Sequence, residues 1–407
     1  MTRPPIGGAP DVRRHNLSAL LHHLHIGGPM RRAELTDLTG LNRSTIAGLV
    51  AELEALGAVT QEPGPAIGGR PTKAGRPSPV VRACPETVQV LAADVAVGRI
   101  SMALIGLGGS VVARRARSVS DTSPKAMAEL LASIGRELID SPKAGQHVVG
   151  LGISVPGVVR GSDGNVRFAP NLGWADAPFH ALVTDALAAR GLPTLPVRVG
   201  NDGYLGALAE HLRGAARGVA DLVFVEGEVG VGCGVIVGGR PLVGAGGYAG
   251  ELGHMSVRGD GRRCRCGAKG CWETEIGTEA MARALGLPDD AGDDQVVALL
   301  RAGGPQRAVQ LNEVAHYLGV GLANVVNLLN PRLVILGGLL RDLYPLVAVQ
   351  VGEVLAEAAL QAPMEQVTLA VPLLGGDAVL IGAAEFAWEA TLADPAAVLG
   401  QPVVRGV

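Results

Sequence analysis

Three cysteines stand within eight residues: Cys264 and Cys266 flank Arg265, and Cys271 follows after four more. Thiolates are strong zinc ligands, and the glycines between them let such a loop turn back on itself. His254, ten residues ahead of Cys264, completes a Cys₃His set. Four protein ligands close a tetrahedral shell and leave no position for a reactive water. The spacing therefore predicts one structural Zn²⁺ per chain rather than a catalytic one. In a chain expected to be cytoplasmic, this density reads as metal binding and not as a disulfide framework. Cys84 and Cys233 lack comparable partners and are expected to be small core residues.

A second group of residues suits a polyanion. Asn16 is placed to cap a helix whose Leu17, Leu20, Leu21 and Leu24 follow a helical period, ended by Gly27-Gly28-Pro29. A short helix from Arg31 to Thr39 puts Leu35 and Leu38 on one face and stops at Gly40. Asn42 then caps a third helix with Ile46, Leu49, Val50, Leu53 and Leu56 inward, ending at Gly57. The turn Thr39-Gly40-Leu41-Asn42 has helix-turn-helix dimensions. The third helix begins Arg43, Ser44, Thr45, where free backbone N–H groups also favour phosphate. Ala58–Gln61 and Val80–Arg82 read as the strands of a wing. Between them, Gly69-Arg70-Pro71 and Gly75-Arg76-Pro77 each hold an arginine on an extended backbone that fits a narrow minor groove. A three-helix domain for protein contacts shares the helical period. The turn, the polar start of the third helix and the paired Gly-Arg-Pro steps favour double-stranded DNA.

Composition bounds the rest. The chain has 407 residues, 48% apolar and 18% charged, enough for two or three domains and too apolar for disorder. Aromatics at 3% argue against reading single strands by base stacking. The longest uncharged stretch, 314–331, carries His316, Tyr317, three Asn and two Gly, so no membrane span is expected. No apolar leader with a cleavage site opens the chain, and a cytoplasmic protein is expected. Residues 1–82 hold 10 Lys+Arg against 6 Asp+Glu, and the remainder 25 against 32. A modestly basic module on an acidic body fits nucleic-acid binding at one end only.

From Thr87 the pattern becomes strand-rich: Val88–Asp94, Arg99–Ile105 and Ser110–Arg115, then a helix over Pro124–Ile139. A similar run recurs at Leu222–Val225, Gly232–Val237 and Pro241–Val243, which predicts a duplicated lobe with a cleft between the copies. Further helices are expected at Gln306–Leu329, Leu343–Gln361 and Asp377–Thr391, and buried strands at His147–Val155, Arg332–Leu336 and Val367–Val371. Glu251-Leu252-Gly253-His254 followed by the cysteine loop to Glu273 resembles the signature of the ROK family of repressors, open reading frames and sugar kinases. Ser154-Val155-Pro156-Gly157, Pro170-Asn171-Leu172, Val199-Gly200-Asn201-Asp202 and Val334–Gly338 are similar to its other landmarks, in order. The resemblance covers roughly 85–390, and the N-terminal part resembles the xylose-repressor type.

That resemblance implies an α/β fold: a winged helix-turn-helix followed by a two-lobed actin-like (hexokinase-like, ribonuclease H-like) domain. The expected partition is a flexible tail at 1–14, a DNA-binding domain at 15–82, and a sugar-binding domain at 83–407 with its zinc loop at 254–273. It further implies that Asn201 and Asp202 hold sugar hydroxyls, with Asp202 as general base if the protein is a kinase. Glu251, His254 and Glu273 would hold further hydroxyls, and Gly157 and Asn171 would line the same cleft. A homodimer or homotetramer is implied as well.

ATP use needs glycine-rich turns that let backbone approach phosphate. Where the family's kinases have Asp-x-Gly-Gly-Thr, this chain has Asp94-Val95-Ala96-Val97-Gly98. Where they have Gly-Thr-Gly, it has Gly227-Glu228-Val229-Gly230, with a carboxylate facing the triphosphate. A sugar-responsive regulator, a repressor binding palindromic operator DNA, is the expected function. An active sugar kinase that also binds DNA is the runner-up, and a partner protein acting through its N-terminal module is a third class.

Overall fold

The computed structural model describes residues 9–63, 78–288 and 291–401. Helix α1 (Ala9–Gly27) opens the chain, followed by β1 (Met30–Arg31), α2 (Arg32–Thr39), α3 (Arg43–Ala55) and the wing strands β2 (Val59–Glu62) and β3 (Val80–Ala83). The three strands pair in the order β1-β3-β2. Asn42 caps α3 as expected, its side chain accepting from Thr45 N. Asn16 does not cap α1, because the helix begins at Ala9 with Asp11 in its first turn. Residues 9–14, expected within a tail, are therefore helical. Leu35 is buried, whereas Leu38 is 54% exposed.

The remaining chain repeats one topology. The first lobe contains β4 (Val88–Ala96), β5 (Arg99–Gly106), β6 (Val111–Ser118), α4 (Pro124–Ile139) and β7 (His147–Val155). A side sheet of β8 (Val158–Val159), β9 (Val166–Ala169) and β10 (Trp174–Ala177) precedes α5 (Phe179–Ala189), β11 (Val197–Asn201) and α6 (Asp202–Arg213). The second lobe has β12 (Leu222–Gly227), β13 (Val231–Val237), β14 (Arg240–Pro241), then α7 (Trp272–Ile276), α8 (Thr278–Ala284), α9 (Asp293–Ala302), α10 (Pro305–Gln310) and α11 (Asn312–Leu329). It closes with β15 (Leu333–Gly338), α12 (Leu339–Ala358), α13 (Gln361–Met364) and β16 (Thr368–Ala370) before α14 (Ala378–Ala393) and α15 (Pro395–Leu399) return to the first lobe. The sheets run β11-β7-β4-β5-β6 and β14-β13-β12-β15-β16. In both, three antiparallel strands come first and two parallel strands add on the other side of the first one. This is the duplication that the repeated short strands predicted. The helix expected over 306–329 is broken at Leu311 into α10 and α11.

Helix α6 lies where the lobes meet. It crosses the second sheet through Gly203, whose Cβ would stand 2.4 Å from Cys233 N, so any larger residue would push the lobes apart. On the other side of the first lobe, Leu17, Leu20, Leu21 and Leu24 of α1 share a single core with Val88, Val90, Trp388, Leu392 and Leu399. The N-terminal segment is thus packed onto the large domain rather than tethered beside it. The same four leucines also pack on Leu35, Ile46, Leu49, Val50 and Leu53 of α2 and α3, so α1 joins the core of the N-terminal segment to that of the large domain.

Candidate functional site

The metal ligands come together. His254, Cys264, Cys266 and Cys271 present ligand atoms within 4.8 Å of one another. Cys266 Sγ lies 3.7 Å from Cys271 Sγ, and His254 Nδ1 lies 3.8 Å from Cys264 Sγ. A tetrahedral zinc with Zn–S of about 2.3 Å and Zn–N of about 2.0 Å places such pairs about 3.5–3.8 Å apart. The donor set fits the ion. Burial pushes the Cys271 thiol up to about 11 and that of Cys264 higher still. Thiols of this kind stay protonated in the absence of metal, and a bound dication would displace their protons to solvent. With Nδ1 turned toward the sulfurs, the Nε2 edge of His254 is left for another partner. Glu273, at the start of α7, lies 3.5 Å from His254 Nδ1 and 2.8 Å from Cys264 Sγ.

Around this loop the expected sugar residues form one continuous wall. A Cβ on Gly230 would stand 2.7 Å from Asn171 Nδ2 and 2.9 Å from Glu273 Oε2, so the β12–β13 turn, Asn171 and Glu273 meet at one point. Asn201 is the N-cap of α6: its Oδ1 accepts from Tyr204 N and its Nδ2 donates to the Gly157 carbonyl, both at 3.0 Å. These two bonds leave the amide one acceptor site on Oδ1 and one N–H on Nδ2 for a further partner. Gly157 has φ 144°, and a Cβ there would meet Phe168 O at 2.5 Å. Its part is to let the chain pass close enough to hold Asn201.

Asp202 begins α6 and accepts from Gly203 N at 2.7 Å. Burial, with Asp94 and Glu251 adding to it against that hydrogen bond, raises its pKa to about 7. Burial also raises Glu251, to which Glu273 adds and which His254 opposes. The turns expected to be hostile to phosphate are more acidic than the sequence reading foresaw. Glu228 is pushed up to about 8 by burial and by Asp94 and Asp202. Glu226 is raised well above the usual carboxylate range by burial and by Glu228. Glu226 also fills the space beside Gly337, where a Cβ would lie 2.2 Å from its Oε2. With their protons held at neutral pH, these carboxyls obstruct a triphosphate as side chains standing where glycine backbone would have to approach phosphate closely, and a bound polyanion would hold their protons more firmly still.

Arg265 was missed. Within the cysteine loop it donates to Asn171 Oδ1 at 2.9 Å and to Glu279 Oε1 at 2.7 Å, bridging the two lobes. Its place between two of the candidate metal ligands is the signal that could have found it. In the DNA-binding segment Arg43 and Ser44 are exposed and Thr45 is half-buried. Ser44 Oγ donates to the capping Asn42 at 2.7 Å. Arg70 and Arg76 lie outside the described residues. Cys84 and Cys233 are buried, as expected.

A duplicated α/β domain with a polar cleft between its lobes, joined to a winged helix, defines a two-lobed actin-like protein with an N-terminal winged helix-turn-helix. The ROK family model matches residues 90–390, and the chain belongs to that family. The xylose repressor of Bacillus subtilis (strain 168) is 28% identical over 338 residues, covering 83% of this chain and 85% of that one. A crystal structure of a ROK family transcriptional regulator, a homologue of the E. coli MLC protein, superposes with a TM-score of 0.76 at 24% identity, covering 96% and 100%. The ROK family glucokinase from Streptomyces griseus, in complex with glucose and AMPPNP, gives 0.61 at 27% identity over 73% and 98%. No described helix is long and apolar enough to cross a membrane.

Proposed function

We propose that the protein is a sugar-responsive transcriptional repressor, binding operator DNA through α3 and its wing and a sugar between the lobes. The observation that carries this reading is α6. Its N-cap Asn201 and first residue Asp202 are the proposed sugar acceptors, and its last, Arg213, reaches the DNA-binding head. Arg213 Nε donates to Glu385 Oε1 at 2.5 Å, and Glu385 Oε2 lies 3.0 Å from His25 Nε2 on α1. Twelve residues of α-helix span about 18 Å. A rigid rod of that length turns a small shift at the sugar into a shift of α1. Sugar acts on DNA only through its differential affinity for two lobe arrangements, and couplings are typically ~1–3 kcal/mol.

Zinc has a structural role in this reading: it holds the loop that carries Glu273 and orients His254, with no step of chemistry through it. Asn201, Asp202, Glu251, His254 and Glu273 bind hydroxyls, with Asn171 held beside them. Two heads in a dimer would meet half-sites about 34–36 Å apart. The test is fluorescence anisotropy on a labelled palindromic operator at fixed salt, with and without each sugar of a panel. Roughly 5–150-fold weaker binding with one sugar is expected. Equal affinity under every saturating sugar sinks the regulatory reading.

A kinase is the second reading, because an aspartate near 7 suits a general base. Turnover on the order of 1 s⁻¹ in a coupled ADP-release assay, lost in Asp202→Asn, would establish it. We expect no turnover, with weakened sugar binding in Asp202→Asn.

A further inference from the structure

A cavity of ≈550 Å³ shares Asn201 and Glu251 with the sugar site but is lined by none of Asp202, His254 and Glu273. It runs outward from the two shared residues, between the glycine-rich segment 242–249 of the second lobe and the surface formed by β11, α6 and α14 of the first. Its size exceeds what one pyranose ring fills.

The two walls differ in build and agree in chemistry. On the first lobe, Tyr204 and Phe386 meet edge to face at 5.7 Å, and the Arg198 guanidinium stacks 3.9 Å from the Phe386 ring. Facing them, Leu242, Val243 and Tyr248 are 41%, 53% and 39% exposed, large apolar side chains turned toward open space. The Tyr248 ring is seated over Gly246, where a Cβ would stand 2.6 Å from its Cε2. Gly247, at φ 85°, rests against the backbone of Gly161 across the cleft, so the segment is braced by the opposite lobe.

Aromatic rings with a planar guanidinium among them suit a flat, uncharged body that has C–H faces and hydroxyl edges. That is a description of a pyranose. An anionic group finds no free cation here: Arg198 is paired with Glu389 at 2.6 Å, and Arg160 with Asp163. We propose that the effector carries a second, uncharged sugar ring, as a disaccharide does. Its first ring lies among Asn201, Asp202 and Glu251, and its second between Tyr248 and the Tyr204–Phe386 pair. This rests on the sugar-site reading and specifies what that site takes. Phe386 lies next to Glu385, the residue that grips α1, so the second ring would touch the helix that holds the DNA-binding head.

The test is calorimetric titration of the full chain. One set of ligands is glucose, galactose, mannose, fructose and xylose, and the other cellobiose, maltose, lactose, melibiose, sucrose and xylobiose. At least one disaccharide should bind roughly tenfold or more tightly than its constituent monosaccharides, since a second ring adds contact without a second loss of translational freedom. Tyr248→Ala should weaken that disaccharide roughly tenfold and leave its monosaccharide within about twofold. Ala245→Trp, at another exposed lining position, should fill the arm and give the same split by obstruction. A monosaccharide that binds as tightly as every disaccharide containing it, with both variants indifferent, overturns the second-ring proposal and leaves the sugar site standing. Absence of binding by every sugar in both sets overturns both.

Discussion

His25→Ala should loosen the seat of the DNA-binding head, and the size of the effect follows from three contacts. His25 is fully buried on α1. Its Nδ1 accepts from Gly108 N at 3.0 Å, and its Nε2 lies 3.0 Å from Glu385 Oε2 and 2.6 Å from Arg213 Nη2. Burial pushes the Glu385 carboxyl up, but His25 and Arg213 outweigh it and hold the pKa below its usual value. That group therefore contributes stability above about pH 4.5, and the contribution is lost as pH falls through the lower folded value. Alanine removes a hydrogen bond to a charged acceptor, worth about 1.5–3 kcal/mol, and orphans a backbone N–H at about 1–3 kcal/mol. Water entering from the neighbouring ≈390 Å³ cavity between α1 and the α6–α14 pair offsets part of this. The net loss should be about 3 kcal/mol, or roughly a hundredfold in the seating equilibrium. Hydrogen exchange along α1 should accelerate accordingly while β4–β7 stay protected. Sugar affinity should hold, and the sugar-induced change in operator affinity should shrink toward unity. His25→Gln, which keeps a donor and an acceptor, should recover part of the coupling. Unchanged exchange in α1 with full coupling in His25→Ala would refute both the seat and the α6 route.

Three further outcomes follow from the site. Arg265→Ala removes a half-exposed bridge, so stability should change by less than about 1 kcal/mol, while sugar affinity measured by calorimetry falls severalfold as Asn171 loses its anchor. Glu228, at about 8, holds a proton in the folded state that the unfolded chain has lost above about pH 4.5, so its contribution to stability declines as pH rises through 8. Glu228→Gln should therefore gain little at pH 5 and about 3–6 °C in Tm at pH 9. Chelation, or Cys266→Ser, should release about one zinc per chain by metal analysis and abolish sugar binding, because the loop carrying Glu273 and Arg265 is held by that ion.

The halves of the fold differed in how readily they could be read. Periodicity found α4 and β7 to the residue, since one is a strongly amphipathic helix behind Ser123 and the other a largely apolar strand. It missed the start of α1, because Asn16 has a capping side chain but sits in the helix interior, where a cap has no free N–H to satisfy. The candidate metal loop was legible because its chemistry is local: four ligands of two types within 18 residues. The lobe bridge at Arg265 and the His25–Glu385–Arg213 cluster were not, because their partners lie 94 and 360 residues away in sequence. No period or spacing marks a contact of that range.

The same distinction bears on why a kinase-like cleft can serve as a switch. In the first sheet the parallel strands β7 and β11 deliver Asn201 to the cleft, and the chain turns at once into α6. Asp202 then lies where only Gly232 of the second lobe leaves room, a Cβ there standing 2.5 Å from its Oδ1. A ligand that draws Asp202 toward itself must move α6 against β13, and α6 ends on the residue that holds the DNA-binding head. Phosphoryl transfer needs the cleft to admit a triphosphate, and Glu226 and Glu228 stand against it. Signalling needs only that the two ends of one helix be occupied by different partners. Phosphate turns occupied by glutamate side chains beside an intact α6 are compatible with the second task and costly for the first.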